Sequence, residues 1–438
     1  MLLFVVVSSA VRVYLAHAHY GFQTGDDLEI AEEAFRRAVG LVHPPWSIRN
    51  LLVPDLVVAP FVAAAHAGGV RDPLLLATVA RYPFILFSAL NIVLVYLLGR
   101  RWYNERTGVA AAALYAVHWI PLVYGSSLHP RALAVTCILG AALLLGERTS
   151  VARAALAGAL SALAVTTRYS EAIFVTSLLV AVQWRRDRLA AFAASWVLGV
   201  CTFIGLYDRL TWGRWFGSLR EFAELVFVER DASSLVVSQP PWWYAANLLH
   251  WVPATVLPLL FIAIRRSERR HALAYIVIPL VALSAIFHKE LRYLQVIVPF
   301  VLLIAARGFT LLRERRPRLA TALLILAMPL AVARIGVAER RSTNAVTAAL
   351  WLAEQRVPHV ALSQPWAYGG RLFLGNAVLI TDIKIPPEPR WIRDHRPDAV
   401  AVFTSTVNDA LRAACMQAGL TRTKTFANRG GREVTVFH

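Results

Sequence analysis

The chain has 438 residues, 58% of them hydrophobic and only 16% charged, against about 25% charged in an ordinary soluble domain. Its net charge of +18 comes mostly from arginines gathered in short segments between apolar runs. That placement, with no aromatic-interleaved basic face, argues against a nucleic-acid partner and for a chain threaded repeatedly through a lipid bilayer.

Apolar runs of roughly 16–25 residues, long enough to cross a bilayer, recur from Leu2 to about Gly336. The first, about 2–17, ends in an Ala-x-Ala-like LAHA but lacks the basic start of a cleaved signal peptide, so it reads as a retained span. Further spans follow near 74–98, 108–123, 131–146, 153–167, 171–184, 190–207, 247–264, 272–287, 292–306 and 319–336. Alternate connections carry the arginines: Arg100, Arg101 and Arg106; Arg148 and Arg153; Arg185, Arg186 and Arg188; Arg265, Arg266, Arg269 and Arg270; Arg307, Arg313, Arg315, Arg316 and Arg318. By the positive-inside rule these face the cytoplasm. The outside then receives 18–73, 124–130, 167–171, 207–246, 287–292 and everything after about 337. The run 51–67, with Pro54, Asp55, Pro60 and His66, would invert every later loop if it crossed, so it reads as re-entrant or interfacial.

The expected fold is an all-α polytopic membrane domain of about eleven helices, residues 1–340, with long outer loops 18–73 and 207–246. Residues 341–438 change character. A helical TAALWLAEQ precedes strand-like HVALS, AVLITDI and DAVAVF, then a helical VNDALRAACMQAG and a strand-like REVTVF. That alternation predicts a small α/β domain outside the membrane. Its His359, Asp382 and His395 are scattered and read as surface or satisfied core residues. Cys137, Cys201 and Cys415 have neither metal nor redox spacing.

The polar residues worth attention sit in the outer loops. Asp26 and Asp27 open an amphipathic helix continued by Glu29, Glu32 and Glu33. Helix capping with a solvated acidic face explains them; so does a general base accepting a proton from an attacking hydroxyl. His288, Lys289, Glu290 and Arg292 crowd between two apolar runs. Snorkelling accounts for a lone cation at such a junction, but two cations beside an imidazole on the outer side also suit a phosphate, including one presented by a lipid. The segments YDRLTWGRWFGSLREF, with Asp208, and SQPPWWYAANLLHW, with Trp242, Trp243 and Tyr244, are either an aromatic belt or a groove for an isoprenoid or sugar. Arg131 and Arg168 occupy two more outer turns, which build one pocket if they converge.

In this order the pieces resemble the lumenal mannosyltransferases that build asparagine-linked glycans and GPI anchors from dolichyl-phosphate-mannose, members of the GT-C class. HKELRY is similar to that family's His-Lys-Glu-x-Arg-aromatic motif, with Tyr293 where Phe is typical. WSIRNLLVP, containing Arg49, resembles its Trp…Arg-Ser…Pro segment with Asn50 for Ser. YDRLTWGRWFGSLREF resembles its Asp…Tyr-Gly-x-Trp segment with Trp212 for Tyr, and QPPWWYAANL its Pro-Trp-x-Trp-Tyr segment. The resemblance spans roughly residues 1–306.

It implies an inverting transfer of mannose from a polyprenyl-phosphate carrier to a glycan or glycolipid hydroxyl. Asp26 would be the general base, with Asp27 orienting the acceptor or the two exchanging roles. His288, Lys289 and Arg292 would hold the carrier phosphate, and Glu290 would orient the basic groups. Arg49, Arg131, Arg168, Asp208, Trp242, Trp243 and Tyr244 form a weaker set of substrate contacts. No cofactor and no metal are expected. The Ala/Arg-rich composition and compact loops point to a bacterium, hence a multi-pass plasma-membrane protein with its active side extracytoplasmic. Another polyprenyl-phosphate sugar is the alternative within this class. A transporter or flippase of lipid-linked saccharide is the alternative outside it, but it should keep its charges within the spans.

Overall fold

The computed structural model describes residues 1–438 except 19–20, 43, 147–148, 183–184, 230–237, 267–270, 333–334, 336–342, 384–388 and 428–431. Arg148, Arg269 and Arg270 of the arginine loops lie outside the described residues, as does the expected boundary at 340/341. The chain divides into two compact units. One comprises Met1–Arg12, Trp46–Val53 and Phe84–Arg334; the other comprises Val13–Pro45, Pro54–Pro83 and Ile335–His438.

The first unit is helical, as apolar runs with their backbone groups bonded internally must be. Two helices, Pro73–Trp102 (which begins in the other unit) and Arg186–Thr211, are long and apolar enough to cross a bilayer. A third qualifies if Glu105–Val117 and Trp119–Gly125 count as one span. The sequence reads 108–123 as continuous, yet that pair is bent by 58°. The break is at His118, whose backbone is extended (φ −71°, ψ 130°). Its imidazole accepts the Ile120 N–H at 3.3 Å and meets the Trp251 carbonyl at 2.9 Å. Shorter apolar helices include Leu2–Ala18, Arg131–Leu144, Val151–Thr167, Val256–Arg265 and Pro317–Leu330. Small residues let helices approach closely. A Cβ on Gly308 would lie 1.9 Å from the Leu259 carbonyl oxygen, and one on Gly158 would lie 2.2 Å from that of Phe192. The run at 51–67 is helical from Val53 to Ala67, about 22 Å at 1.5 Å per residue and so shorter than a hydrocarbon core of about 30 Å.

The second unit contains a five-stranded sheet, β1 His359–Ser363, β2 Leu379–Ile383, β3 Ala399–Phe403, β4 Thr423–Phe426 and β5 Val434–Phe437, in the order β2-β1-β3-β5-β4. β1 pairs in parallel with β2 and β3, while β5 runs antiparallel to β3 and β4. β3 is buried along its whole length, as the central strand of a covered sheet should be. Val400, Val402 and Phe437 pack with Ile392, Leu411 and Cys415 from the flanking helices. The expected strands at HVALS, AVLITDI, DAVAVF and REVTVF are present. β4 is not among them, because TKTF is an exposed edge strand with no apolar alternation.

The same unit holds the helix Gly25–Val39. Thr24 caps its start by accepting the Asp27 N–H at 3.3 Å, and Asp27 reaches back to the Gln23 N–H at 3.2 Å. This is a variant of the capping box, with the acid reaching the N–H one residue ahead of the cap instead of the cap's own. Gly40, at φ 76°, ends the helix in the left-handed conformation that favours glycine. Arg81 fixes the chain leading into it, donating to the Ala16 carbonyl at 3.0 Å and the Gly21 carbonyl at 2.6 Å.

Candidate functional site

Residues 286–290 form an irregular turn between the helix His271–Ala285 and the 3-10 helix Leu291–Val296. The turn is tied back to the segment 238–246, since Gln239 N–H donates to the Phe287 carbonyl at 2.9 Å. Lys289 is buried, and its ammonium donates to the carbonyls of Gln239 (2.9 Å) and Ile286. Burial disfavours the charged form and lowers the lysine below its ordinary range. Glu290 links the two neighbouring bases. Its carboxylate meets His288 Nε2 at 2.9 Å and pairs with the Arg292 guanidinium. The Tyr244 hydroxyl donates to the Glu290 carbonyl at 3.3 Å.

Tyr293 is the hub of this cluster. The Arg131 guanidinium lies 4.5 Å from its ring centroid and that of Arg292 5.6 Å away, both within cation–π range. The His288 ring meets it edge-on at 5.8 Å. Arg131 is 2% exposed and pairs with the fully buried Glu171 at 2.6 Å. Arg168 acts electrostatically on Arg131 with like charge. Three cationic residues from three separate helix starts and turns thus share one neighbourhood with His288 and Lys289. A cluster of this kind, with one neutralising acid on each side, can receive a dianion such as a phosphate ester.

A second cluster lies in the same unit. Asp208 is fully buried; one carboxylate oxygen accepts from Asn50 Nδ2 at 3.0 Å, and the other accepts the Ser218 N–H at 2.9 Å and hydroxyl at 2.6 Å. Tyr169, next in the chain after Arg168, bonds the Ser218 hydroxyl. Trp212 Nε1 donates to the Arg49 carbonyl at 3.2 Å, and the Arg49 guanidinium lies 5.4 Å from the Trp46 ring centroid. Asn50 also donates to the Phe203 carbonyl at 3.2 Å and accepts the Leu52 N–H at 3.0 Å. Both Asn50 and Trp212, where this chain departs from the family pattern, serve this framework.

Of the sequence-derived residues, then, Arg131, Arg168, Tyr244, His288, Lys289, Glu290 and Arg292 come together. Arg49 and Asp208 form the neighbouring framework. Trp243 packs edge-on against Tyr244 at 5.2 Å, while Trp242 is 68% exposed. Asp26 and Asp27 belong to the other unit. There Asp27 is buried in its capping interaction, and Asp26 is half-buried on the first turn. Glu32, on the same helix, is buried and accepts the Arg371 N–H at 2.8 Å. Its carboxyl is pushed up to about 7, chiefly by burial and further by Glu29, against the lowering effect of Arg371.

Glu171, Tyr293 and Ser218 were not singled out as site residues from sequence. A glutamate in TTRYSEA, entering an apolar run, is the one signal by which Glu171 could have been found. Among the described residues, no group of three or more His, Cys, Asp or Glu side chains is arranged to hold a metal ion.

Comparison with solved structures gives a consistent fold. ArnT from Cupriavidus metallidurans in the apo state matches with a TM-score of 0.67 at 13% identity, over 99% of this chain and 97% of that one. ArnT bound to undecaprenyl phosphate matches at 0.64, with the same identity and coverage. The oligosaccharyltransferase AglB from Archaeoglobus fulgidus, in complex with an inhibitory peptide and a dolichol-phosphate, matches at 0.54 and 12% identity, over 95% of this chain and 68% of that one. No curated protein matches. The model of the Alg9-like mannosyltransferase family matches residues 43–352, well over half of the chain and including both clusters. The chain is therefore a GT-C glycosyltransferase by fold and belongs to the Alg9-like mannosyltransferase family.

Proposed function

We propose that the protein is an inverting glycosyltransferase that moves mannose from a polyprenyl-phosphate carrier to a hydroxyl of a glycan or glycolipid on the extracytoplasmic face of the plasma membrane. The observation that carries this reading is the convergence of Arg131, His288 and Arg292 on Tyr293, with Lys289 held in the same turn by the Gln239 carbonyl. Family membership and the likeness to ArnT bound to undecaprenyl phosphate support it.

In this mechanism the acceptor oxygen attacks the anomeric carbon on the face opposite the phosphate. The bond from that carbon to the phosphate oxygen breaks, and the polyprenyl phosphate leaves with the electron pair. Negative charge on the leaving phosphate grows along this path. Cations already placed there stabilise the transition state more than the bound donor. Arg292, held in place by Glu290, supplies that charge, His288 contacts the phosphate from the same turn, and Lys289 adds a donor fixed by two carbonyls. Asp26 takes the acceptor's proton. Asp27 keeps the first helical turn in shape through its cap. The capping bonds to Thr24 and Gln23 favour this division of roles over its reverse. No metal takes part in this scheme.

Radiolabelled polyprenyl-phosphate-mannose and a panel of mannoside and glycolipid acceptors test it with the purified protein. Asp26→Asn should abolish transfer and leave donor binding intact, whereas Arg292→Ala should weaken donor binding at least tenfold. If Asp26→Asn transfers sugar at the wild-type rate, Asp26 is not the base. If Arg292→Ala binds donor as well as wild type, the phosphate assignment fails.

A further inference from the structure

The helix Gly25–Val39 is gripped along its length by one stretch of the distant C-terminal chain, residues 364–376. Phe22, just ahead of the helix, stacks on Phe373 with centroids 6.1 Å apart. A Cβ on Gly25 would lie 4.0 Å from the Trp366 ring. Glu32, two turns on, accepts the Arg371 N–H at 2.8 Å. Beyond the helix, the Val42 N–H donates to Asn376 Oδ1 at 2.9 Å.

Gly25, Leu28 and Glu32 recur at spacings of three and four, so a single face of the helix takes these contacts. Opposite Leu28 and Glu32 the surface is bare backbone at Gly370. Gly369 and Gly370 have φ of 79° and 49°. A Cβ on Gly370 would fall 2.5 Å from the Glu32 carboxyl oxygen and 3.0 Å from Leu28 Cδ2. Paired glycines let the chain come within hydrogen-bond reach of the acid.

An acid buried to 7% exposure costs stability unless something compensates it. A leucine at this position would pack without that cost but could not accept the Arg371 N–H. We propose that Glu32 is a positioning residue, its carboxyl latching residues 369–371 onto the helix and thereby fixing the first turn that presents Asp26. This inference rests on the reading of Asp26 as the base.

Hydrogen–deuterium exchange over residues 22–42 of the full-length protein, paired with the transfer and donor-binding assays above, tests the latch. Glu32→Ala should raise exchange of the helix about tenfold and lower turnover about as much, with donor affinity unchanged. Glu32→Gln should restore both, because the carboxamide oxygen still accepts the N–H. Gly370→Ala, which sets a methyl group against the carboxyl, should reproduce Glu32→Ala from the other side of the contact. Wild-type exchange in Glu32→Ala or Gly370→Ala overturns the latch, and so does equal impairment of Glu32→Ala and Glu32→Gln. Asp26→Asn separates the two ideas, since its exchange should match wild type whatever its turnover. If Asp26→Asn retains turnover while Glu32→Ala opens the helix, the base assignment falls and the positioning role falls with it, leaving a purely structural clasp.

Discussion

The Arg131 guanidinium sits 4.5 Å from the centroid of the Tyr293 ring while its Nε bonds Glu171 at 2.6 Å, so an aromatic face and a buried carboxylate together aim one cation. Arg292 approaches the same ring at 5.6 Å. Both guanidinium groups share this one ring, and each such contact contributes about 0.5–2 kcal/mol.

Tyr293→Phe should therefore bind donor nearly as well as wild type, since it keeps the ring. Tyr293→Ala should lose about tenfold in affinity for polyprenyl phosphate, which corresponds to about 1.4 kcal/mol. Titration of the purified variants with the lipid measures both. Equal affinity in Tyr293→Ala would show that the ring does not organise the cations.

Glu171 has a different weight. Removing it would strand the buried Arg131 beside Arg168, and breaking one side of a buried pair typically costs about 3–5 kcal/mol. Glu171→Ala should thus unfold at a markedly lower temperature in detergent. A double variant, Arg131→Met with Glu171→Leu, should recover most of that loss while losing donor binding. A Glu171→Ala protein as stable as wild type would contradict the pairing.

The buried Glu32 carboxyl, pushed up to about 7, makes stability depend on pH. The folded state holds this proton more tightly than the unfolded chain does. Its favourable contribution is therefore complete below the unfolded value near 4.5 and is lost as the pH rises through about 7. Glu32→Gln imitates the protonated acid at every pH. Relative to wild type it should gain about 1–3 kcal/mol between pH 4.5 and 8. Chemical denaturation at a series of pH values reads this gap; a constant gap would mean that Glu32 titrates normally.

Metal-free chemistry has a direct check. Transfer from polyprenyl-phosphate-mannose should proceed at an unchanged rate after dialysis against EDTA. Loss of transfer with recovery on Mn²⁺ or Mg²⁺ would require a metal-assisted leaving group instead.

Apolar run length located most of the helices, because a continuous apolar run favours an internally bonded helix whether or not other helices cover it. It could not locate the 58° break at His118, since that break depends on a side chain bonding to Trp251, 133 residues away. In the sheet, HVALS and DAVAVF announce themselves by burial. TKTF, exposed at the edge, is held by its backbone pairing with β5. Within the site, the crowding of His288 to Arg292 was visible as charge between apolar runs. Distant partners were not visible: Glu171 lies 40 residues from Arg131 and, in the other unit, Arg371 lies 339 from Glu32. The Thr24-x-x-Asp27 spacing was legible as a cap, and the structure assigns Asp27 to that role.

Lys289 gives two of its ammonium hydrogens to backbone carbonyls, those of Gln239 and Ile286. On the proposed mechanism that leaves a single hydrogen for the carrier phosphate, while the other two keep the loop closed whether or not a lipid is present. Spent carrier can then depart by breaking one weak link to this lysine, with no refolding of the turn between turnovers. On that scheme the residue would act less like a clamp than like a hinge pin with one hook, favouring rapid exchange of used carrier for fresh.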